Sequence, residues 1–245
     1  MNRSLNMKRM YSYLMPALPI LTIYGFQFAP FLTFADYTLL IFICYDICEN
    51  HFKIVINRLL GSLIVFLLIE PIICIAFVSH PINYVDTIGT AWRLALYIFG
   101  TAILSKNLIM ESLLKSVRFI GLMSALYGFF QFFFGTYLHI SLSPYLPFLP
   151  ILRTGLKEQQ DGWIAYNWTV RPRAWFSEPS TMSIYLLLAL LIEIFVVQKE
   201  KRSNKYCISY VLGIIVSQSS TGTIGLIILV LAWAFLLPEE VLYRI

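Results

Sequence analysis

Charged residues are scarce in this chain. Asp, Glu, Lys and Arg make up 13% of its 245 residues, against roughly a quarter in soluble domains. Histidine occurs three times and cysteine four times. The cysteines lie in apolar segments without a neighbouring cluster of His or acidic residues, so no metal site is predicted. This composition excludes a disordered chain, a nucleic-acid-binding module and an ordinary water-soluble enzyme.

Long apolar runs take up much of the chain. Hydrophobic residues make up 59% of it, and the mean hydropathy is +0.75. In lipid, helices satisfy the backbone of such runs, and about 20 residues cross the bilayer. The pattern predicts an all-α polytopic membrane protein, a single integral membrane domain over 1–245. About eight transmembrane helices are expected, at 12–28, 31–48, 59–79, 88–105, 117–137, 180–197, 206–218 and 222–238.

The distribution of Lys and Arg predicts the orientation of these spans. Eight alternating spans place 13 of the 18 cations on one side, which the positive-inside rule identifies as the cytoplasm. Both termini are therefore expected in the cytoplasm. The one long outward-facing loop is expected at about 138–179, and loops of this length are usually functional.

Charged residues inside predicted spans indicate pairing or function, because they are costly in lipid. Asp36 and Glu193 lie near span ends, where their side chains are expected to snorkel to the interface. Glu70 and Arg93 lie deeper. They are expected to form a structural ion pair between neighbouring helices, or else a polar path of the kind a transporter uses.

The outer loop combines cations with aromatic rings. Rings at a membrane surface commonly form an interfacial belt. Rings beside guanidinium groups also suit a sugar chain on a lipid phosphate, because arginine binds phosphate through a planar fork. The residues concerned are Arg153, Lys157, Arg171, Arg173, Tyr145, Trp163, Tyr166, Trp168 and Trp175.

The sharpest local pattern is Arg-Pro-Arg-Ala-Trp-Phe-Ser-Glu-Pro-Ser at 171–180, called here the Glu-Pro motif. Pro179 suits the first turn of the sixth span, and Glu178 before it complements the helix dipole. Plain capping of the helix is one interpretation. The other is an anion site, because Arg171 and Arg173 precede a helix N-terminus.

The Glu-Pro motif resembles the Arg…Phe-x-Glu-Pro-Ser signature of bacterial O-antigen and capsule repeat-unit polymerases. A second segment, Ser217-Gln-Ser-Ser-Thr-Gly222, is called here the Ser-Thr-Gly motif. It is similar to the Ser-x-Ser-Arg/Ser-Thr-Gly motif that these polymerases share with the O-antigen ligases. The span pattern extends the resemblance over the whole chain.

The resemblance implies a cofactor-free, multi-pass glycosyltransferase of the bacterial cytoplasmic (inner) membrane that polymerises O-antigen or capsule polysaccharide. A sugar hydroxyl attacks the anomeric carbon of a glycan on polyprenyl pyrophosphate, and the lipid pyrophosphate leaves. The implied partners are the polyprenyl-pyrophosphate-linked oligosaccharide, the lipid bilayer, a flippase and a chain-length regulator, and not nucleic acid. The implied catalytic residues are Arg173, Arg171 and Glu178, and the implied substrate-binding residues are Arg93, Arg153, Trp175, Ser219, Ser220 and Thr221.

This chain departs from the family pattern at two points. Family members are nearly twice as long, so either this chain is a fragment lacking the C-terminal half or that half is supplied elsewhere. In addition, Ser220 stands where the motif often has Arg. Three alternatives stay open: an O-antigen ligase that moves finished glycan to another acceptor, a transporter or flippase of lipid-linked oligosaccharide, and a non-catalytic scaffold of polysaccharide assembly.

Overall fold

The computed structural model describes residues 2–26, 32–49, 58–77, 84–152, 171–198 and 201–236. These residues form helices and no strand, which confirms the predicted all-helical class. In chain order, the helices are α1 (Asn2–Leu14), α2 (Leu18–Leu21), α3 (Phe34–Glu49), α4 (Arg58–Phe77), α5 (Tyr84–Leu104), α6 (Met110–Tyr137), α7 (Pro179–Leu191), α8 (Asn204–Val216) and α9 (Ser220–Leu236).

Two of the described helices are long and apolar enough to cross a bilayer. One is α6, with 28 residues, and the other is Pro179–Val196, with 18. The latter consists of α7 and a π-helical turn, Ile192–Val196. Two shorter apolar helices, Asn204–Val216 and Ser220–Ala232, follow. Length and composition of these helices support the prediction of a membrane protein.

The first predicted span, 12–28, differs from the observed structure. The helix is interrupted by a 3-10 turn over Met15–Ala17 and ends at Leu21, in a stretch with two prolines, each of which lacks a backbone N–H for helix bonding. The chain then becomes extended, and Tyr24 forms an isolated antiparallel bridge with Ile151. Within residues 12–26 the predicted first span is therefore not one continuous helix.

The chain divides into two compact units. The first consists of Met1–Leu113 and Pro150–Leu152, and the second of Leu114–Leu149 and Arg153–Ile245. The Glu-Pro and Ser-Thr-Gly motifs both belong to the second unit.

The first unit has its core among α1, α3 and α5. Tyr11, Leu39, Phe42 and Leu104 are buried in one apolar cluster. Gly100 lets α5 approach α3, since a Cβ at this position would lie 2.8 Å from a methyl carbon of Leu39.

The second unit packs α6, α7, α8 and α9 around close approaches at glycine. A Cβ on Gly213 of α8 would lie 2.9 Å from the Cβ of Ala125 on α6. A Cβ on Gly222 of α9 would lie 2.5 Å from the Cβ of Ser183 on α7. The absence of a side chain at these glycines therefore brings the start of α9 against the first turns of α7.

The π-helical turn contributes a buried carboxylate, Glu193, to an ion pair with the partly buried Arg118. Arg118 Nε donates to Glu193 Oε2 at 2.9 Å, and Arg118 Nη2 donates to Glu193 Oε1 at 2.7 Å. Nη2 also donates to the carbonyl oxygen of Lys201, and Glu193 Oε1 accepts from the backbone N–H of Ser203. Glu193 is 1% exposed. The prediction that Glu193 snorkels to the interface is therefore wrong, because its carboxylate is paired inside the protein.

Candidate anion-binding site

The second unit brings the two sequence motifs into contact. Arg171 Nη2 donates a hydrogen bond of 3.1 Å to the backbone carbonyl of Gln218. The hydroxyls of Ser183 and Ser217 lie 2.8 Å apart and share a hydrogen bond. Ser183 Oγ also lies 2.6 Å from the carbonyl oxygen of Pro179, within hydrogen-bonding distance. The start of α7 and the break between α8 and α9 thus form one local structure.

The start of α7 follows the sequence pattern closely. Glu178 has an extended backbone and Pro179 occupies the first helical turn, and the N–H of Met182 donates to the carbonyl of Glu178 at 3.1 Å. The exposed Glu178 carboxylate accepts a 3.0 Å hydrogen bond from the hydroxyl of Ser180. Within the described residues this carboxylate is therefore bound by a serine of its own helix.

Arg173 is almost completely buried, with 4% of its surface exposed. Its Nη1 donates to the carbonyl oxygen of Ser177. Its Cζ lies 4.9 Å from the centroid of the Tyr145 ring, which is a favourable cation–π distance. The other two nitrogens, Nε and Nη2, are buried and make no hydrogen bond within the described residues. Burying charged donors without partners is costly, so this guanidinium is suited to an anionic ligand.

The two unsatisfied nitrogens of Arg173 belong to the same edge of the guanidinium group. Nε and Nη2 direct parallel N–H groups that can bind two oxygens of one carboxylate or phosphate. Arg118 binds the two carboxylate oxygens of Glu193 through its own Nε and Nη2. The chain therefore contains, in the Arg118 pair, an example of the contact that the Arg173 edge could make.

Gln131 holds the backbone of the Glu-Pro motif, and sequence reasoning missed it. Its Oε1 accepts hydrogen bonds from the N–H of Arg173 at 3.2 Å and of Ala174 at 2.9 Å. Its Nε2 donates to the carbonyl of Ala174 at 3.4 Å. The available signal was a single amide in the apolar run Phe-Phe-Gln-Phe-Phe-Phe at 129–134.

Trp175 forms the aromatic part of the site. Its ring stacks on Tyr127 with centroids 4.9 Å apart and an interplanar angle of 12°. The Tyr127 hydroxyl donates to the carbonyl of Ser143 at 2.5 Å, which fixes the supporting ring. The stack presents a half-buried indole two residues from Arg173.

The Ser-Thr-Gly motif lies at the break between α8 and α9. Gln218 has φ of 51°, a left-handed conformation that separates the two helices. Ser219 is buried, and its Oγ accepts a 3.4 Å hydrogen bond from the N–H of Gly222, as a helix cap does. Ser220 and Thr221 are exposed. Of the three predicted hydroxyl residues, Ser219 therefore caps α9, and Ser220 and Thr221 are exposed on the surface of its first turn.

Arg93 belongs to the first unit and pairs with Asp36. Its Nε donates to Asp36 Oδ2 at 3.3 Å. The same carboxylate oxygen accepts from the N–H of Thr33 at 2.8 Å, and Thr33 Oγ1 accepts from the N–H of Asp36 at 3.3 Å, a reciprocal cap at the start of α3. Asp36 is 0% exposed, so the prediction that it snorkels is wrong.

Asp36 is a partner of Arg93 that the structure describes, and the expected pair of Arg93 with Glu70 stays a prediction. The side chain of Glu70 and the whole of Arg153 lie outside the described residues. Among the residues that are described, no three His, Cys, Asp or Glu side chains cluster closely enough to hold a metal ion.

Comparisons with protein-family models, with curated proteins and with solved structures find no match to this chain.

Proposed function

We propose that this chain is a membrane glycosyltransferase that polymerises a surface polysaccharide, O-antigen or capsule, from polyprenyl-pyrophosphate-linked repeat units. The observation that carries the proposal is the buried Arg173 guanidinium, whose Nε and Nη2 make no hydrogen bond within the described residues. It belongs to the Glu-Pro motif, whose Arg171 contacts Gln218 of the Ser-Thr-Gly motif. A pyrophosphate supplies the pair of oxygens that this edge can bind.

In the proposed reaction, the oxygen of an acceptor sugar hydroxyl forms a bond to the anomeric carbon of the donor glycan. The bond from that carbon to the pyrophosphate oxygen breaks, and the electron pair leaves with the polyprenyl pyrophosphate. Arg173 stabilises the negative charge that develops on the leaving group, an effect that is strong where water is excluded. The acceptor's proton goes to a base, for which the exposed carboxylate of Glu178 is the candidate.

The surrounding residues supply binding contacts in this proposal. Arg171 lies beside the second motif and adds a further cation for the pyrophosphate. Ser220 and Thr221 offer exposed hydroxyls at the start of α9, where helix N–H groups favour anions. The Trp175 indole, supported by Tyr127, offers a flat face for a sugar ring. Arg93 and Arg153 stay supporting candidates on the resemblance alone.

The proposal includes a topology of eight spans in the bacterial inner membrane, with both termini cytoplasmic and the Glu-Pro motif outward. The exposed apolar surface of the second unit supports contact with lipid: Ile224, Ile227 and Ile228 of α9 are all more than half exposed. The distribution of Lys and Arg supports the orientation. A flippase and a chain-length regulator are the proposed protein partners.

Two other functions compete with this one. An O-antigen ligase would use the same pyrophosphate chemistry and differ in its acceptor. A transporter or flippase is favoured by one observation, the buried Asp36 carboxylate paired with Arg93 in the first unit, because buried charge in a membrane protein often lies along a transport path.

A polymer ladder tests the proposal. The chain is expressed in cells that make the cognate lipid-linked repeat unit but lack their own polymerase, and the surface glycan is separated on a gel. Bands longer than one repeat are expected, and they disappear with Arg173→Ala while the protein stays in the membrane. Transfer of a single repeat to a different acceptor would indicate a ligase. Full-length polymer from the Arg173→Ala chain would overturn the assignment of the pyrophosphate site.

A further inference from the structure

We propose that Gln131 is a positioning residue that orients the Nε and Nη2 edge of Arg173 toward a bound pyrophosphate. The inference rests on the proposed function. Gln131 lies on α6, whereas Arg173 lies in the segment before α7. The amide therefore links the anion site to a helix outside both sequence motifs.

The amide of Gln131 makes three hydrogen bonds to one short stretch of backbone. It is 4% exposed. Its oxygen accepts from the N–H groups of Arg173 and Ala174, and its nitrogen donates to the carbonyl of Ala174. A buried amide in an apolar helix is costly unless it is hydrogen-bonded, and three of its bonds go to Arg173 and Ala174, the two residues that set the direction of the Arg173 side chain.

The backbone that Gln131 holds is strained. Ala174 has φ of 48°, a left-handed conformation that is unfavourable for a residue with a Cβ. The N–H of Phe176 closes the turn by donating to the carbonyl of Arg173 at 2.9 Å. Without Gln131, the N–H of Ala174 would lose the partner that opposes this strain, and the turn would be free to relax.

The guanidinium itself is held on its other sides. Ser177 accepts from Nη1, and the ring of Tyr145 lies under the group. With the backbone, Nη1 and one face fixed, the Nε and Nη2 edge has a single orientation. A relaxed turn would move this edge without removing its charge. Changing Gln131 should therefore weaken pyrophosphate binding because the edge is misplaced, and not because charge is lost.

The test measures binding of inorganic pyrophosphate by calorimetry to the full chain in detergent, at a temperature where every variant is folded. Gln131→Met keeps the length and apolar packing of the side chain but leaves two buried N–H groups without an acceptor, and it should weaken binding about tenfold. Gln131→Asn retains an amide one methylene shorter and should also weaken binding, which covers the case in which the Met variant does not fold. Ser124→Ala is the matched control, because Ser124 is buried on the same helix and its hydroxyl makes no hydrogen bond within the described residues.

A second background separates positioning from a general effect on the fold. Arg173→Lys keeps the positive charge but lacks the paired edge. Adding Gln131→Met to Arg173→Lys should therefore change the affinity for pyrophosphate by less than about twofold. Such non-additivity is expected of residues that act through one another. An equal loss in both backgrounds, or an equal loss with Ser124→Ala, would show that Gln131 only packs the fold and would overturn the inference.

The same measurements distinguish this inference from the proposed function. Binding that Arg173→Ala abolishes and Gln131→Met leaves intact would overturn the positioning role and leave the anion site standing. A chain that binds no pyrophosphate would overturn both. If pyrophosphate binding depends on Gln131 but the chain makes no polymer ladder, the positioning role stands and the proposal of a polymerase is overturned. A parallel titration with inorganic phosphate separates a single phosphate, as in a lipid headgroup, from pyrophosphate, which should bind more tightly.

Discussion

Two arginines of the second unit are largely buried, and their surroundings differ in one respect. The Nε and Nη2 edge of Arg118 contacts both carboxylate oxygens of Glu193. The same edge of Arg173 makes no hydrogen bond within the described residues, although Nη1 and one face of the group are occupied. Among the described residues, Arg118 has a carboxylate partner and the Nε and Nη2 edge of Arg173 has none.

This difference separates a structural arginine from a ligand-binding one. A buried ion pair is self-sufficient, and removing one member leaves an uncompensated charge. A buried arginine whose Nε and Nη2 edge has no acceptor among the described residues is costly by itself, and a bound anionic ligand would compensate that cost. Burial alone does not distinguish the two kinds of arginine, because the difference is whether Nε and Nη2 have hydrogen-bond acceptors within the described residues.

The largest effect is expected at the Arg118 pair. Glu193→Gln leaves the Arg118 charge without a carboxylate and should cost about 3–5 kcal/mol of folding free energy, seen as low membrane abundance and a lower unfolding temperature in detergent. Replacing both residues, as in Arg118→Met with Glu193→Met, should restore much of the loss. A Glu193→Gln chain as stable as the unaltered one would remove the contrast between the two arginines.

The second effect concerns activity and not stability. Arg173→Ala should lower the polymerisation rate about 100- to 1000-fold, as loss of a fixed charge-stabilising donor does, with unchanged abundance. The polymerisation rate of Arg173→Lys should lie between the rates of the unaltered chain and of Arg173→Ala, because lysine keeps the charge but lacks the paired N–H edge. The ladder assay measures polymerisation, and an immunoblot of the membrane fraction measures abundance. A fall in abundance as large as that for Glu193→Gln would class Arg173 with Arg118 as a structural residue.

A smaller effect is expected where α9 packs on α7. Gly222→Ala places a Cβ 2.5 Å from the Cβ of Ser183 and should cost about 1–3 kcal/mol as an overpacking change. It should also reduce activity, because the Ser-Thr-Gly motif is displaced from the Glu-Pro motif. Gly225→Ala is the control, since its Cβ meets only the flexible end of Leu187. Equal unfolding temperatures for the two variants would contradict this account of the packing.

The smallest effect is expected in the first unit. Asp36→Asn keeps an oxygen for the N–H of Thr33 but loses the charge opposite Arg93, and it should cost about 1 kcal/mol, as weakening of a cap does. Polymer length should not change. Loss of all surface glycan at normal abundance would favour the transporter, which needs this charge pair.

Local signals in the sequence predicted local structure well. The start of α7 at Pro179 and the break before Ser220 agree with the structure, because proline and a short polar run act on their own segment. The contact of Arg171 with Gln218 was not predicted, although eight alternating spans place the loop that contains Arg171 and the break at 217–222 on the same side of the membrane.

Partners distant in the sequence were not predictable in the same way. Asp36 and Glu193 were expected at the interface, but each is buried against an arginine 57 or 75 residues away. A charge near a span end carries no information about which helix lies beside it. Gln131 was missed for the same reason, since the strained turn that it supports lies 42 and 43 residues further along the chain.

The π-helical turn at Ile192–Val196 has a consequence for insertions and deletions. In this turn the N–H of Val197 donates to the carbonyl of Ile192, five residues earlier, so it holds one residue more than an α-helical turn. Loops between helices usually tolerate changes in length. Here the extra residue sets the phase at which Arg202 meets the carbonyl of Ile194 and Ser203 meets Glu193. Removing a single residue from 194–198 would restore a regular helix and rotate these contacts apart. The number of residues in this segment is therefore constrained, as side-chain size is constrained in a packed core.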